Sequence, residues 1–551
     1  MSSESRDVIT RLSVYVLGAI RLTPLLILAV MAFRAQGTRG MVAMLLCGFL
    51  EIYLVASLTR SWRWFYLAGF PLLLLGTLYA CYTVFYGLPP GRSLALILLT
   101  TSPEEIVGFL AISQAKPLLL GVLVLWTLYF YLSVRLPKTL RIQSAAASRK
   151  RRIYILALLL PITVYVGWDP ANFIDGAAYH PTVGSFFFFA GTVPRADAML
   201  HGSQVVKVPY GAHRNGGEEV HVFVLGESAR RDSWSVYGYT RPTTPYLDSL
   251  KGDAIFLSHA LADANITSAA VPIVLTGMSG EQMSATSIRG NIVDLAKEAG
   301  YYTAWLENQD ITIPAAVGMA ADHAFYPPDF KSNILDRHTL DEALLRPYKT
   351  ELARSGKARF LGIHIMGSHW EYYRRYPAAF GKFGADFHLN TLSIFLESKQ
   401  TEAQVVDAYD NTVLYTDWFL QQVIEPARKL TVPVTVTFFP DHGEDLQYLD
   451  NEAGHGAPHY TPHAYAIPAF VWVNEAYAKA HPDKVAALRN NAQREIRSHD
   501  VFGTLADLMG ITWPERNPAR SFASSEFAPD IQAKLVAGGV LVAPPPAADS
   551  H

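Results

Sequence analysis

The sequence predicts a chain in two parts: an N-terminal helical transmembrane domain of five spans, then an α/β domain on a mostly parallel central sheet. Three observations carry this. Before residue 170 charged residues are scarce, and apolar runs at 13–33, 40–58, 62–87, 117–136 and 153–168 each approach the roughly 20 residues that cross a bilayer. After residue 218 short apolar strands alternate with helical patterns. Those strands end in bursts of glycine, carboxylate and imidazole.

The first apolar run is too long for a cleaved signal peptide, and no small-residue cleavage site follows it. Orientation follows from lysine and arginine. Arg135, Lys138, Arg141, Arg149, Lys150, Arg151 and Arg152 fall between the fourth and fifth runs with no acid among them. That loop is expected in the cytoplasm, which puts the N-terminus inside and everything after residue 170 outside. The expected organisation is a transmembrane domain at 1–168 with an exported interfacial loop at 88–116, a membrane-surface linker at 169–217, and an exported domain at 218–551. In the loop, Ser102, Pro103, Glu104 and Glu105 suit the N-cap and first turn of a helix. In the linker, the aromatic run "SFFFFAG" suits a membrane surface.

Arg21 and Glu51 lie inside the first and second expected spans. Their depths nearly match at about 1.5 Å rise per residue, and an isolated charge in lipid is costly, so they are expected to pair. The chain has 2 cysteines, Cys47 and Cys81, both inside expected spans. The exported domain therefore has no disulfide, and its stability must come from an ordinary core. Half of all residues are hydrophobic and the net charge is −2; nucleic acid is not among the expected partners.

In the second part "EVHVFVLGES", "YYTAWLEN", "RFLGIHIMGSH" and "VTVTFFPDHGE" share one form, an apolar strand running into polar residues. Continuous apolar strands alternating with helices argue for a parallel sheet covered on both faces. In such sheets ligands bind beyond the carboxyl ends of the strands. Glu227, His364 or His369, and Asp441 with His442 sit at such ends, and His455, His459 and His463 follow the last of them. Carboxylates and imidazoles without a thiolate suit Zn, with Mn possible. Glu227, Asp441 and His442 are the expected core of one metal site. For the other histidines, hydrogen-bonded or surface roles compete with metal binding.

A bound divalent ion lowers the pKa of a hydroxyl and holds a phosphoryl oxygen. The best-placed hydroxyls are in "ADANITSAAVPIVLTG", where Asn265, Thr267 and Ser268 precede an apolar helical run. A helix N-terminus favours an anion, but Thr267 as a simple N-cap fits the pattern equally well. Glu307 and Asn308 in "WLENQ" are candidate contacts for a cationic head group. Arg230, Arg231, Arg374 and Arg375 are candidate contacts for an anionic acceptor.

The motifs "VFVLGESARRDSWSVYGYTRPTTPYLD", "NITSAAVP", "AWLENQ", "HIMGSHWEYYRRYP", "YDNTVLYTDWFL", "FFPDHGEDL" and "GHGAPH" occur in that order. Together they resemble the bacterial phosphoethanolamine transferases, the membrane-anchored branch of the alkaline phosphatase/sulfatase superfamily. The resemblance implies a sulfatase-like exported domain and a bacterial inner-membrane location, multi-pass, with the catalytic domain in the periplasm. It implies that Glu227, Thr267, Asp441 and His442 hold zinc and that Thr267 is also the nucleophile. His369 and His455 would bind the phosphoryl group or a second zinc. The implied reaction has two steps. Thr267 takes phosphoethanolamine from phosphatidylethanolamine and releases diacylglycerol; an envelope glycan or glycolipid (lipopolysaccharide core, lipid A or periplasmic glucan) then accepts it.

Two departures from the family pattern stand out. Lipid A-modifying members carry disulfides in the exported domain, and this chain has none there, so it looks more like members that modify inner-core sugars or periplasmic glucans. The family's exported loop often carries Asn, Thr and Glu at four-residue spacing toward the lipid donor. Thr101 and Glu105 match, whereas Ile97 stands at the Asn position. Rival readings are a phosphoglycerol transferase, a metal-dependent phosphodiesterase or sulfatase-like hydrolase, and a non-catalytic membrane scaffold. The region "NITSAAVPI" lacks the C/S-x-P-x-R motif of sulfatases, and the intact metal-type residues argue against a scaffold.

Overall fold

The computed structural model describes residues 3–59, 61–86, 90, 115–140, 177–192, 209–283, 290–309, 320–327, 339–370, 372–384, 402–446, 454–456, 460–537 and 540–544. They form two compact units, one up to residue 192 and one from residue 209 onward.

The first unit is helical: α1 (Ser3–Leu58), α2 (Trp62–Tyr86), α3 (Ala115–Arg135) and α4 (Pro181–Phe187). Helices apolar all round suit a membrane, where each backbone group must be satisfied within its own segment. α1 breaks at Gly37, whose φ of 66° is left-handed and open to glycine. The expected spans 13–33 and 40–58 are the two arms on either side of this break. Among the described residues two helices are long and apolar enough to cross a membrane, 7–58 and 62–84. α3 coincides with the fourth expected span. The expected fifth run, 153–168, and most of the loop expected at 88–116 lie outside the described residues.

Leu17, Phe65, Tyr66, Leu73 and Tyr129 pack together where α1, α2 and α3 meet. A second cluster joins Leu28, Ala32, Met44 and Tyr79 to Tyr179. Residues 177–192, part of the stretch read as a linker, thus pack within the first unit, with Phe188 buried and Phe186 and Phe189 exposed. Arg21 and Glu51 do approach each other. Arg21 Nη2 lies 3.9 Å from Glu51 Oε1, and its guanidinium sits 4.5 Å over the Phe65 ring. The other carboxylate oxygen of Glu51 accepts a hydrogen bond from Thr182 and lies 3.8 Å from His180 Nε2.

The second unit is built on a seven-stranded sheet. Its strands are β1 (Val220–Gly226), β2 (Ile255–Leu257), β3 (Tyr302–Glu307), β4 (His323–Phe325), β5 (Arg359–His364), β6 (Val434–Pro440) and β7 (Ala469–Val473). The order is β2-β7-β6-β1-β5-β3-β4. β6, β1, β5, β3 and β4 run parallel, while β7 is antiparallel to both β6 and β2. The sheet is therefore mixed, with the expected parallel centre.

β1 and β6 are buried at every residue, as continuous apolar runs require. Alternate side chains feed two cores. Val220, Val222 and Val224 join Leu361, Val436 and Phe438 on one face, under Tyr409, Phe419, Leu420 and Val423 of a long helix at 402–428. Phe223 and Leu225 join Phe360 and Phe439 on the other, with Val271, Ile292 and Leu295. Each such side chain contributes about 1.5–3 kcal/mol relative to exposure. With both faces covered, the carboxyl ends of β1, β3, β5 and β6 share one edge of the sheet, and there the polar bursts gather.

Candidate metal centre

Glu227 follows β1, and Asp441 and His442 follow β6. β1 and β6 pair in register through Gly226 and Pro440, so the residues after them come out side by side. All three are buried to within 1%, and one donor atom from each lies within 4.8 Å of the others. The helix at Thr267–Thr276 (α5) brings the fourth group. Its N-cap is Ile266, and no side chain caps it. The Thr267 hydroxyl points elsewhere, 3.2 Å from His442 Nε2 and 3.3 and 3.4 Å from the Glu227 oxygens. Of the two roles open to Thr267 in the sequence, the N-cap is not the one its side chain takes.

These atoms fit a metal. Tetrahedral zinc with bonds of about 2.0–2.1 Å has donor–donor edges of about 3.3 Å. His442 Nε2 lies 3.2 Å from Thr267, 3.4 Å from Asp441 Oδ2 and 3.6 Å from Glu227 Oε1. His442 Nδ1 is 2.7 Å from Gly443 O. A carbonyl only accepts, so Nδ1 carries the proton and Nε2 presents a lone pair, as metal-ligating histidines do. Asp441 Oδ1 accepts from His442 N at 2.7 Å and Ser228 N at 3.2 Å. Its Oδ2 is buried with no hydrogen-bond partner, and a buried polar atom of that kind calls for an ion or water. Burial, then the Asp441 charge, pushes Glu227 up to about 7. Burial also raises Asp441 and lowers His442, which His455 lowers further. Such strain among titratable groups is what a divalent cation relieves.

Two histidines flank the cluster. The His455 ring centroid is 4.5 Å from that of His442 and 6.0 Å from that of His369. His455 Nδ1 meets Glu444 Oε2 at 2.9 Å. Burial alone would lower His455, but the Glu444 carboxylate outweighs it and raises it to about 9. His369 is held well below its ordinary value by burial and by the Arg375 cation, which bonds the carbonyls of His369 and Trp370. Gly367 aims this loop with a φ of 49°, and a Cβ there would come 2.9 Å from Glu227 O. Gly443 likewise lets the backbone of His463 pass where a Cβ would sit 2.2 Å from its carbonyl oxygen.

The remaining candidates are placed as follows. Glu307 is fully buried and accepts from Trp305 Nε1 at 2.9 Å and Gln309 N at 2.8 Å, with His364 Nδ1 at 2.9 Å. Asn308 is fully buried too and donates to Asp341 Oδ1 at 2.8 Å. Asp341 in turn receives the N–H groups of Met366 and Gly367. Glu307 and Asn308 thus brace the strand ends. His463 pairs with Asp232 at 2.8 Å. Arg231 donates to Ser258 O. Thr101, Glu105 and His459 lie outside the described residues.

Two residues at the centre were not singled out from sequence. Gln309 Nε2 donates to Glu227 Oε2 at 2.6 Å, and Ser228 Oγ donates to Glu227 Oε1 at 2.6 Å. Both stand inside motifs that already carried a named carboxylate, which is the signal that would have found them.

The carboxyl edge of this sheet thus carries a hydroxyl, two carboxylates and an imidazole, a set able to hold a divalent metal. A sulfatase family profile matches residues 220–511, more than half of the chain, and the chain belongs to that family. Among curated relatives, phosphoethanolamine transferase CptA of Salmonella typhimurium is 27% identical over 326 residues, covering 57% of this chain and 55% of the relative. The chain therefore matches about half the length of such relatives. The integral membrane protein lipooligosaccharide phosphoethanolamine transferase A from Neisseria meningitidis shares the fold over 92% of this chain and 98% of its own, with a TM-score of 0.62 at 19% identity. The zinc complex of the C-terminal periplasmic domain of EptC from Escherichia coli matches 58% of this chain and 91% of its own, with a TM-score of 0.51 at 23% identity.

Proposed function

We propose that this chain is a zinc-dependent phosphoethanolamine transferase of the bacterial inner membrane, anchored by several spans, with its second unit in the periplasm. The observation that carries this is the Thr267 hydroxyl, turned away from its helix and onto Glu227 and His442. Glu227, Asp441, His442 and Thr267 would hold the zinc. The metal supplies Lewis acidity that makes the Thr267 hydroxyl a nucleophile at neutral pH and offsets charge on the phosphoryl group.

The donor is phosphatidylethanolamine. Thr267 Oγ1 forms a bond to its phosphorus, the bond from phosphorus to the diacylglycerol oxygen breaks, and that oxygen leaves with a proton as diacylglycerol. A hydroxyl or phosphate oxygen of an envelope glycan or glycolipid then attacks the same phosphorus, and Thr267 leaves and regains its proton. His455, its Nδ1 on Glu444, and His369 would donate hydrogen bonds to the phosphoryl oxygens, His455 as the cation, or would as neutral imidazoles hold a second zinc. α5 adds the positive end of its dipole. Supporting this reading are the relatives' names, the fold shared with a membrane-anchored transferase, and the zinc held by a related domain.

The test is to incubate the purified protein with phosphatidylethanolamine and zinc, without acceptor, and weigh the peptide containing Thr267. A phosphoethanolamine adduct is expected, absent in Thr267→Ala. Released diacylglycerol with an unmodified peptide would mean hydrolysis instead. An adduct formed only from phosphatidylglycerol would make the chain a phosphoglycerol transferase.

A further inference from the structure

Ser228 is the only non-glycine residue with positive φ among the described residues, at 51°. It is fully buried and immediately follows Glu227. An L-residue persists in the left-handed region only where its surroundings over-determine it. Here three contacts do so. The Ser228 N–H donates to Asp441 Oδ1 at 3.2 Å. Its hydroxyl donates to Glu227 Oε1 at 2.6 Å. Its carbonyl accepts from Tyr409 OH at 2.7 Å. The next residue continues the clamp, with Ala229 N donating to His442 O at 2.9 Å.

Glu227 and Asp441 are two buried carboxylates on neighbouring strand ends. Alone they repel, and each gains by swinging away or taking a proton. A residue that donates to both at once holds them together as acceptors. In this left-handed conformation one residue aims its N–H at one carboxylate and its side chain at the other while Tyr409 anchors its carbonyl. An ordinary turn at this point would be relaxed, or would use glycine.

We propose that Ser228 is a positioning residue that pre-assembles Glu227 and Asp441 as a pair for the divalent cation, its strained backbone being the means. This rests on the metal reading above. Ligand-orienting neighbours of this kind change metal affinity by about 10–100-fold.

The experiment compares Ser228→Ala and Ser228→Gly in the full-length protein. Both lose the hydroxyl; alanine keeps the strain and glycine relieves it, so the glycine variant is the one safe to fold. Zinc alone is the probe, with affinity read by competition against a chromophoric chelator and zinc-free thermal unfolding read alongside. Expected is a loss of zinc affinity of about tenfold or more in both variants, with the zinc-free glycine variant melting at least as high as the alanine one. Zinc affinity equal to wild type in both variants would overturn the proposal and leave the metal reading standing. A wild-type protein that takes up no zinc would overturn both.

Discussion

Gln309 Nε2 donates to Glu227 Oε2 at 2.6 Å, with both side chains buried. Gln309 is itself fixed, since its N–H donates to Glu307 Oε1 at 2.8 Å and its amide also reaches Ile365 O at 3.1 Å. The carboxylate is thus oriented from the β3 side by a group with no freedom to follow it. Gln309→Ala should weaken zinc binding about tenfold. Gln309→Glu should raise the proton affinity of the buried acids in the metal-free protein, because it sets a third acid against two buried ones, and so make zinc affinity depend more steeply on pH. Chelator competition on the purified variants measures both. Alanine binding as tightly as wild type would reduce Gln309 to a filler of space.

The protonation of Glu227 gives a pH dependence with a definite sign. Burial, then Asp441, moves it from an ordinary 4.5 to about 7 in the metal-free protein. Zinc needs the carboxylate, so affinity should rise from pH 6 to pH 8 as this proton is released. Metal-free stability should move the other way. The folded state holds the proton more tightly than the unfolded chain, so this contribution is fully present below pH 4.5 and is lost as pH rises through 7. Glu227→Gln should flatten the metal-free profile, read by denaturant unfolding with chelator present. An unchanged slope in that variant would place the titration on another group.

What was legible in the sequence follows from local pattern. β1 and β6 are uniformly buried strands, so their apolar runs and the polar residues after them, Glu227, Asp441 and His442, stand out. Thr267 was visible as a hydroxyl at a helix start, and only the fold shows that it leaves the cap for the cluster. The reversed direction of β7 was not legible, because "AFVWV" reads alike either way. Nor were the braces: Gln309 reaches Glu227 because β5 lies between β1 and β3 and the strand ends are level, and strand order is not a local property. Glu307 was a candidate contact for a head group, and the residues that occupy it, Trp305, Gln309 and His364, include one from a different strand.

The same holds for Asp263 and Arg497, 234 positions apart, which meet at 2.5 Å with both side chains buried. Asp263 also bonds the backbone N–H and ring Nδ1 of His499 at 2.9 and 2.7 Å. This network lies four residues before Thr267 and anchors the approach to α5. Burial alone would raise Asp263, but the Arg497 and His499 charges outweigh it and hold it well below the carboxylate range. Its stabilisation is therefore present above about pH 4 and is lost as pH falls below it. Asp263→Asn leaves the buried Arg497 with only its 3.4 Å contact to the more exposed Glu495 and should cost about 3–5 kcal/mol, seen in urea unfolding of the zinc-free protein at pH 7. A loss under about 1 kcal/mol would mean that water or the existing Glu495 contact suffices for Arg497.

In the first unit the pairing of Arg21 with Glu51 is open to a double-mutant cycle. At 3.9 Å the contact is long, and Glu51 is shared with Thr182 and His180. The pair therefore ties the two arms of α1 to the segment at 177–192. Glu51→Gln and Arg21→Gln should each destabilise the protein in detergent, the arginine variant more, because it leaves a carboxylate among apolar helices with only Thr182 and a histidine to answer it. The double variant should be less destabilised than the sum of the two. A coupling of about 1 kcal/mol is the scale for polar contacts between membrane helices. Strict additivity in reversible unfolding would mean that the two charges are solvated separately and that Thr182 and His180 alone hold Glu51.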